Sequence, residues 1–594
     1  MGRTASNKKR AQASSLPASK VSPESGLRTA ASATQRWKWF GIGAFIFAAA
    51  IAVMWPTTKG DFYSDDGFYI QNNPLLDQPG RIWKAFFVPG SFIEYYPIEQ
   101  SLQWLLYLCF GQHPFGYHIV NLVLHGINAL AVWYFLRKFN LRLAWLGGLI
   151  YAIYPLSVET VGFISEFKNT LSLAPFIASM CFYLNYARDG KKSAYWFSLA
   201  FYAVAMMCKI SMMAFPAVLL LYAWYLRGRI TLRDLWSCAP FALVAAVLAA
   251  TSYASGEIYN ASIHDMEPGE IPVGGPLSRL ALVGITTSFY LTHTLLPYRP
   301  LTLYPLWPVD PPSLLQFLPW PLLILGAWWL WQRRNSWGRH VILGVGTFIL
   351  FLLPALGFIK ISYMTLSFVL DHLLYLPVIF LLALVIAGLD DVQRKLSFVW
   401  RRVLWGATAT AIVVMAVETY TFAGIFADPL ELFATDLEYN PGSWFVQSTY
   451  GVYLLQYNRI DEATPHFQLA AEMNPHFYMP HLALAKIALR NGDQATAEYQ
   501  FRELVRVAPF APIGYTSLGD LLVHENRLPE AYDVIKEEFS KIPDNAQACD
   551  DMAQISMGLG HTDEAQQFLR HALKIDPTDS FAKEHLQQSG ASGQ

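Results

Sequence analysis

Trp39–Trp55 reads WFGIGAFIFAAAIAVMW. No charge interrupts this run, and as a helix rising 1.5 Å per residue it would extend about 25 Å. That approaches the thickness of a bilayer's hydrocarbon core. Residues 1–38 ahead of it hold eight basic residues and one acidic residue, with almost no bulky apolar side chain. Such a segment cannot bury enough surface to order itself, so a disordered, basic cytoplasmic tail is expected there. A basic arm bound to the lipid leaflet is the alternative. The apolar run is long for a signal-peptide core and lacks a clear small-x-small cleavage site, so it reads as a retained signal anchor.

Working outward, the whole chain shares this apolar character. Of 594 residues, 54% are hydrophobic, 15% aromatic and 15% charged. A soluble domain carries about 25% charged residues, so a purely soluble chain and a disordered one are both excluded. A net charge of -1 gives no pull toward nucleic acid. Five cysteines exclude a disulfide scaffold. Cys109, Cys181, Cys208 and Cys238 lie in apolar stretches, Cys549 stands alone, and none has zinc spacing. They read as small packing residues.

Apolar segments recur over 39–422, a multi-span membrane domain. About eleven spans are expected, near 38–55, 115–136, 142–157, 169–187, 193–208, 211–227, 235–253, 317–332, 340–354, 371–389 and 403–422. Basic clusters in the tail, at Arg137–Arg142, Arg188–Lys192, Arg227–Arg233, Arg333–Arg339 and Arg394–Arg402, then all fall on the cytoplasmic side. Loops 56–114 and 254–316 face outward. Counting 277–297 as a span would break this scheme, so it reads as a helix lying in the outer interface.

Residues 428–587 are polar and periodic. Pro441, Pro475, Pro509, Pro543 and Pro577 are 34 residues apart, as are Ala463, Ala497, Ala531 and Ala565, and Asn458, Gly492, Asn526 and Gly560. The pattern resembles the tetratricopeptide repeat. The small residue lets two helices approach, Asn or Gly accommodates the turn, and Pro starts the next unit. About four repeats would stack into a short α-solenoid, and an odd span count puts it outside the cytoplasm.

Ionisable groups at the outer membrane face are the first candidates for chemistry. Asp65 and Asp66 are adjacent carboxylates, and their repulsion raises one pKa or recruits a cation. Either property suits a general base or a metal ligand; an exposed Asp- and Gly-rich turn is the plain alternative. Glu94 and Tyr96 follow in the same loop. His118, Asn121 and His125 share one helical face, suited to a metal or, more ordinarily, to helix–helix hydrogen bonds. Glu159 and Glu166 would be costly facing lipid, so a wet cavity is expected around them. Lys168, Lys209, Asp371, His372 and Tyr375 complete a face of acids, cations and aromatics. Such a face suits a site that holds a phosphate and activates a hydroxyl, or a transporter vestibule.

Asp65-Asp66, Tyr96-Pro97 to Asn121-Leu122, Tyr154-Pro155 with Glu159, and Asp371-His372 with Tyr375-Leu376-Pro377 together resemble one family. It is the multi-span GT-C glycosyltransferases with C-terminal tetratricopeptide repeats, whose animal members are protein O-mannosyltransferases. The resemblance covers roughly 38–587. It implies a sugar donor on polyprenyl or dolichyl phosphate and inverting transfer to a protein Ser/Thr hydroxyl on the extracytoplasmic side. Asp65 is then the base, with Asp66 as substitute. Lys168, Lys209 and His372 are the phosphate-binding candidates, because lysine serves phosphate as a point charge. Glu94, Tyr96, His118, Glu159, Glu166, Asp371 and Tyr375 would line the cavity. Many bacterial relatives carry Arg where this chain has His372, which weakens that clamp and makes protonation matter.

No resident cofactor is assigned; a divalent cation has room, but no metal ligand set is named. The expected partners are the lipid-linked donor, membrane lipid, and an acceptor protein or other partner on the repeats, without nucleic acid. Transfer to a lipid-linked glycan, a non-catalytic scaffold whose repeats assemble an extracytoplasmic complex, and a transporter are the alternatives. The chain ends without a retrieval signal, so a bacterial inner membrane is expected, with the N-terminus cytoplasmic and the repeats periplasmic. The sequon Asn260-Ala261-Ser262 matters only in a host with N-glycosylation.

Overall fold

The structure is a computed structural model that describes residues 33–63, 65–71, 73, 75–76, 80–263, 271–543 and 545–591. Residues 1–32 of the basic tail, and the side chains of the sequon, lie outside the described residues. Every regular element among the described residues is helical. By contacts the chain divides between Phe45 and Ile46. The described part of the first unit is the N-terminal portion of the helix Ala33–Met54; there Trp37 meets Phe40 edge-on.

In the second unit, long helices run as far as Ile425, and short paired ones follow from Pro429. Among the described residues, seven helices are long and apolar enough to cross a membrane: Arg36–Lys59, Pro114–Lys138, Ile210–Arg227, Leu232–Ile258, Leu314–Gln332, Gly338–Leu356 and Phe398–Ile425. Phe398–Ile425 leaves Val413, Val414 and Val417 exposed while Phe422 and Ala423 are buried. A surface of that kind needs lipid or a partner to cover it.

Eleven spans are expected from the sequence, and the remaining expected segments differ from these seven in length and polarity. Residues 142–157 form the nine-residue helix Ala144–Ala152 and then break at Tyr154-Pro155. Nine residues rise only about 14 Å. Phe167–Asp189 has ample length, but its buried face carries Asn169, Thr170, Ser172 and Ser179. Lys192–Met206 has 15 residues. Val378–Lys395 starts later than expected and ends in Asp390, Asp391, Arg394 and Lys395, so Asp371–Leu374 is a separate turn ahead of it. Pro276–Leu295 buries His293 together with Leu282 and Tyr290.

The repeats follow their sequence register. Helix pairs run Trp444–Gln456 with Ile460–Met473, Tyr478–Arg490 with Gln494–Val507, Pro512–His524 with Leu528–Lys541, and Ala546–Gly558 with Thr562–Ile575. Asn458, Gly492, Asn526 and Gly560 all take φ between 60° and 82° at the turns, a region open to Gly and tolerated by Asn. Ala463, Ala497, Ala531 and Ala565 are fully buried where the paired helices meet.

Candidate active site

The loop after the first long helix ends at Asp65-Asp66 and enters a π-helical turn, Gly67–Gln71. Asp66 is buried, and its carboxylate accepts three backbone N–H groups. These come from Ser165 at 2.5 Å, Tyr63 at 3.1 Å and Ile164 at 3.3 Å. It thereby ties the first loop to the turn Ile164–Glu166. Burial raises its pKa to about 7 against those hydrogen bonds. Asp65 turns the other way and makes no hydrogen bond to a described residue. It lines a cavity of about 510 Å³. Asp65 is itself exposed, and the surrounding protein raises its pKa, mainly by desolvation, against the pull of Lys168.

Two cations sit in the same wall. The helix Phe167–Asp189 delivers Lys168, whose ammonium donates to Tyr69 Oη at 2.8 Å and Glu94 Oε2 at 3.0 Å. Tyr69 also donates to Glu94. Lys209 lies where the chain passes from Lys192–Met206 into the turn Ile210–Ala214. It donates to Glu166 Oε2 at 3.3 Å, and Asn169 donates to the same carboxylate. Desolvation would raise the Glu166 pKa, but His372, Lys209 and Lys168 overcome it and hold it at about 2.

His372 joins these groups. Its backbone N–H donates to Glu159 Oε2 at 3.0 Å, and Nδ1 lies 2.8 Å from Glu159 Oε1. Nε2 lies 3.9 Å from Glu166 Oε1. Burial works against charge on the imidazole, and the Glu166 and Glu159 carboxylates outweigh it, so its pKa rises. Glu159 itself is pushed up, chiefly by burial.

The cavity therefore brings together Asp65, Glu94, Glu159, Glu166, Lys168, Lys209 and His372. Asp66 lies behind it. Tyr96 and Tyr375 line a second cavity of about 240 Å³ instead. Asp371 is buried on the far side of its turn, with Tyr304 Oη at 3.0 Å and His293 Nε2 at 3.2 Å. His118 is buried beside the backbone of Gly60 and Asp61. Asn121 donates to the carbonyls of Thr160, Val161 and Phe163. His125 meets Tyr375 Oη at 2.9 Å and the Ala152 carbonyl at 3.1 Å, so Asn121 and His125 tie this helix to neighbouring segments. Among the described residues, no group of three or more His, Cys, Asp or Glu could hold a metal ion.

Residues 97–253 match the family described as dolichyl-phosphate-mannose-protein mannosyltransferase. Residues 546–579 match the tetratricopeptide repeat. The protein O-mannosyl-transferase TMTC4 of Homo sapiens is 30% identical over 195 residues, covering 27% of this chain and 26% of that protein. TMTC1 of Homo sapiens is 27% identical over 163 residues, 25% of this chain and 18% of that protein. The chain thus spans about a quarter or less of the length of these curated relatives. The solved tetratricopeptide protein YrrB aligns at 16% identity and a TM-score of 0.23, over 27% of this chain and 81% of that one; at that score it carries no argument. The mannosyltransferase match contains Glu159, Glu166, Lys168 and Lys209, whereas Asp65, Glu94 and His372 fall outside it.

Sequence reasoning passed over several residues here. Tyr69 and Tyr363 line the larger cavity, and nothing separates them in the sequence from the many other tyrosines. His293 and Tyr304 surround Asp371. An ionisable residue inside an apolar segment was the available signal for His293.

Proposed function

We propose that this chain is an integral-membrane glycosyltransferase that moves a sugar from a polyprenyl-phosphate donor to a protein Ser/Thr hydroxyl. The observation that carries the reading is an unpaired carboxylate, Asp65, sharing one cavity with Lys168, Lys209 and His372. The similarity of residues 97–253 to a mannosyltransferase family supports it.

Asp65 takes the proton from the acceptor hydroxyl as its oxygen attacks the anomeric carbon. The bond from that carbon to the phosphate oxygen breaks with its electron pair on the phosphate. Attack opposite the leaving group inverts the anomeric centre. Lys209, His372 and Lys168 balance the growing negative charge, where fixed cations in a low-dielectric site have most effect. A base with a raised pKa is better matched to neutral pH than an ordinary carboxylate. Asp66 is a positioning residue that holds the loop presenting Asp65.

Transfer occurs on the extracytoplasmic side, with the repeats there and the basic clusters on the other side. Phe433 and Phe445, from the first helices after the last long apolar one, line the same cavity. An acceptor held by the repeats would therefore meet the site directly.

The test is sugar transfer in membranes containing wild type or Asp65→Asn, offered labelled polyprenyl-phosphate sugars, with proteins and glycolipids read by mass spectrometry. Protein modification lost in an inserted, folded D65N variant supports the reading. Modification of glycolipid alone makes the acceptor a lipid-linked glycan. No modification by wild type favours a scaffold, and modification unchanged in D65N removes Asp65 as the base.

A further inference from the structure

Away from both cavities, the apolar helices meet at a basic corner. Ile210–Arg227 and Leu314–Gln332 end there, and Gly338–Leu356 begins there. Trp224 from the first helix stacks on Trp331 from the second, with ring centroids 5.8 Å apart and planes 10° apart. The Arg334 guanidinium lies 4.9 Å from the Trp331 ring centre, and the Arg339 guanidinium 5.8 Å from that of Trp224. Arg339 is fixed further. Its Nε donates to the Arg334 carbonyl at 3.0 Å and its Nη1 to the Tyr225 carbonyl at 3.5 Å. Its Nη2 passes so close to Gly228 that a Cβ there would lie 3.4 Å away.

The corner is short of negative charge. Arg227 is paired with Asp234, whose carboxylate also accepts the Thr231 N–H and hydroxyl. Arg229, Arg333, Arg334 and Arg339 have no ion pair with a described residue. Arg334 spends one N–H on the Trp331 carbonyl, and Arg339 spends two, so both forks keep free donors. Uncompensated guanidinium groups this dense attract anions, and each fork matches two phosphate oxygens. The surroundings are those of a lipid headgroup. Trp329, Trp331 and Trp337 are exposed, and tryptophan settles at the boundary between hydrocarbon and water. Leu325 and Trp328, one to two helical turns below Trp331, are exposed as well, so apolar surface continues from the corner along the helix.

We propose that this corner is a binding site for an anionic phospholipid. The Arg334 and Arg339 guanidinium groups hold its phosphodiester, and its acyl chains lie along the exposed apolar face below Trp331. Arg229 and Arg333 add charge without fixing position. The stacked tryptophans hold the two guanidinium groups on neighbouring rings, so the site is built from three helices rather than from one. The basic pair Arg401 and Arg402 differs in this respect, since both lie over Phe398 of their own helix. A zwitterionic lipid carries a cation beside its phosphate and is repelled by the surplus arginines, so the site selects a headgroup with net negative charge. The inference needs a chain that sits in a membrane and is independent of the transferase reading.

The experiment titrates the full chain in detergent with phosphatidylglycerol, phosphatidylcholine or glycerol phosphate and reads bound lipid by native mass spectrometry. The proteins are wild type, Arg334→Gln, Arg334→Lys and the double variant Arg401→Gln with Arg402→Gln. Wild type should prefer phosphatidylglycerol to phosphatidylcholine. R334Q should bind phosphatidylglycerol about tenfold more weakly, the scale of losing one hydrogen bond to a charged group. The double variant removes more charge and should bind like wild type, a pattern that overall charge alone would not produce. R334K keeps the charge without the fork and should lie between wild type and R334Q. It decides the matter if R334Q does not fold: wild-type affinity in R334K then overturns the proposal. Equal affinity of wild type and R334Q overturns it too, as does an equal loss in the double variant or a wild type that does not distinguish the two lipids. Glycerol phosphate that displaces phosphatidylglycerol at equal concentration would make this a site for free phosphate and likewise overturn it.

Discussion

Asp65 and Asp66 are indistinguishable as letters, and the fold separates them completely. Asp66 spends its carboxylate on three backbone donors, while Asp65 lines the cavity. The sequence made the pair legible as a candidate but not which member is free, because that depends on a turn a hundred residues away. The same holds for His372, whose pairing with Glu159 joins positions 213 apart. Replacing Asp65 with Asn should lower turnover by about 10²–10⁴-fold, the range for losing a general base, with donor binding retained; single-turnover transfer reads this. The pH profile follows from the signs. Asp65, with a raised pKa, is a base only above that value, so activity falls as pH drops through it. His372, also raised, carries charge below its pKa and loses it as pH climbs. A bell-shaped profile of transfer rate is therefore expected. Changing His372 to Arg should remove the alkaline limb and leave the acid limb in place. An alkaline limb that persists would show that another group titrates there.

Among the elements, those whose signal is local and periodic were legible. The 34-residue register located the repeat turns because each needs a residue tolerant of positive φ, and each has one. The broken segments were not legible. Residues 142–157 look like one apolar run until Pro155 interrupts them, and hydropathy counts apolar side chains rather than helical turns. Phe167–Asp189 showed the opposite problem, since its buried polar face serves neighbours and not solvent. Two substitutions separate the forces in the repeats. Ala531→Leu adds volume at a fully buried helix contact and should cost about 1–3 kcal/mol. Gly560→Val meets no atom within 4 Å of its new Cβ but must hold φ near +82°, a backbone cost of about 1–2 kcal/mol. Repeat stability is carried by neighbouring contacts, so hydrogen exchange should accelerate first in the substituted pair and its neighbour. Uniform acceleration along the whole repeat array would contradict that locality.

For the molecule as a whole, the repeats are built into the cavity rather than appended beside it. Asp436, on the helix Pro429–Tyr439, accepts the Thr302 backbone N–H at 3.2 Å and also its hydroxyl. Thr302 and Leu303 line the cavity together with Phe433 and Phe445. Tyr63 donates to the Phe426 carbonyl, linking the first loop to the end of the last long apolar helix. None of these long-range joins has a periodic trace in the sequence. We propose that the side of the membrane on which the repeats stand is also the side on which the cavity opens, and one labelling experiment tests both. Cys109 is the exposed native cysteine, and Cys181, Cys208, Cys238 and Cys549 are buried, so Cys109→Ser gives a quiet background. Asp563, at the start of the helix Thr562–Ile575, and Asn335, in the turn among Arg333, Arg334 and Arg339, are both exposed. In intact spheroplasts a membrane-impermeant maleimide should label Asp563→Cys, and Asn335→Cys only after permeabilisation. The reverse order would place the cavity on the cytoplasmic face, where a donor displayed on the outer leaflet could not reach Asp65.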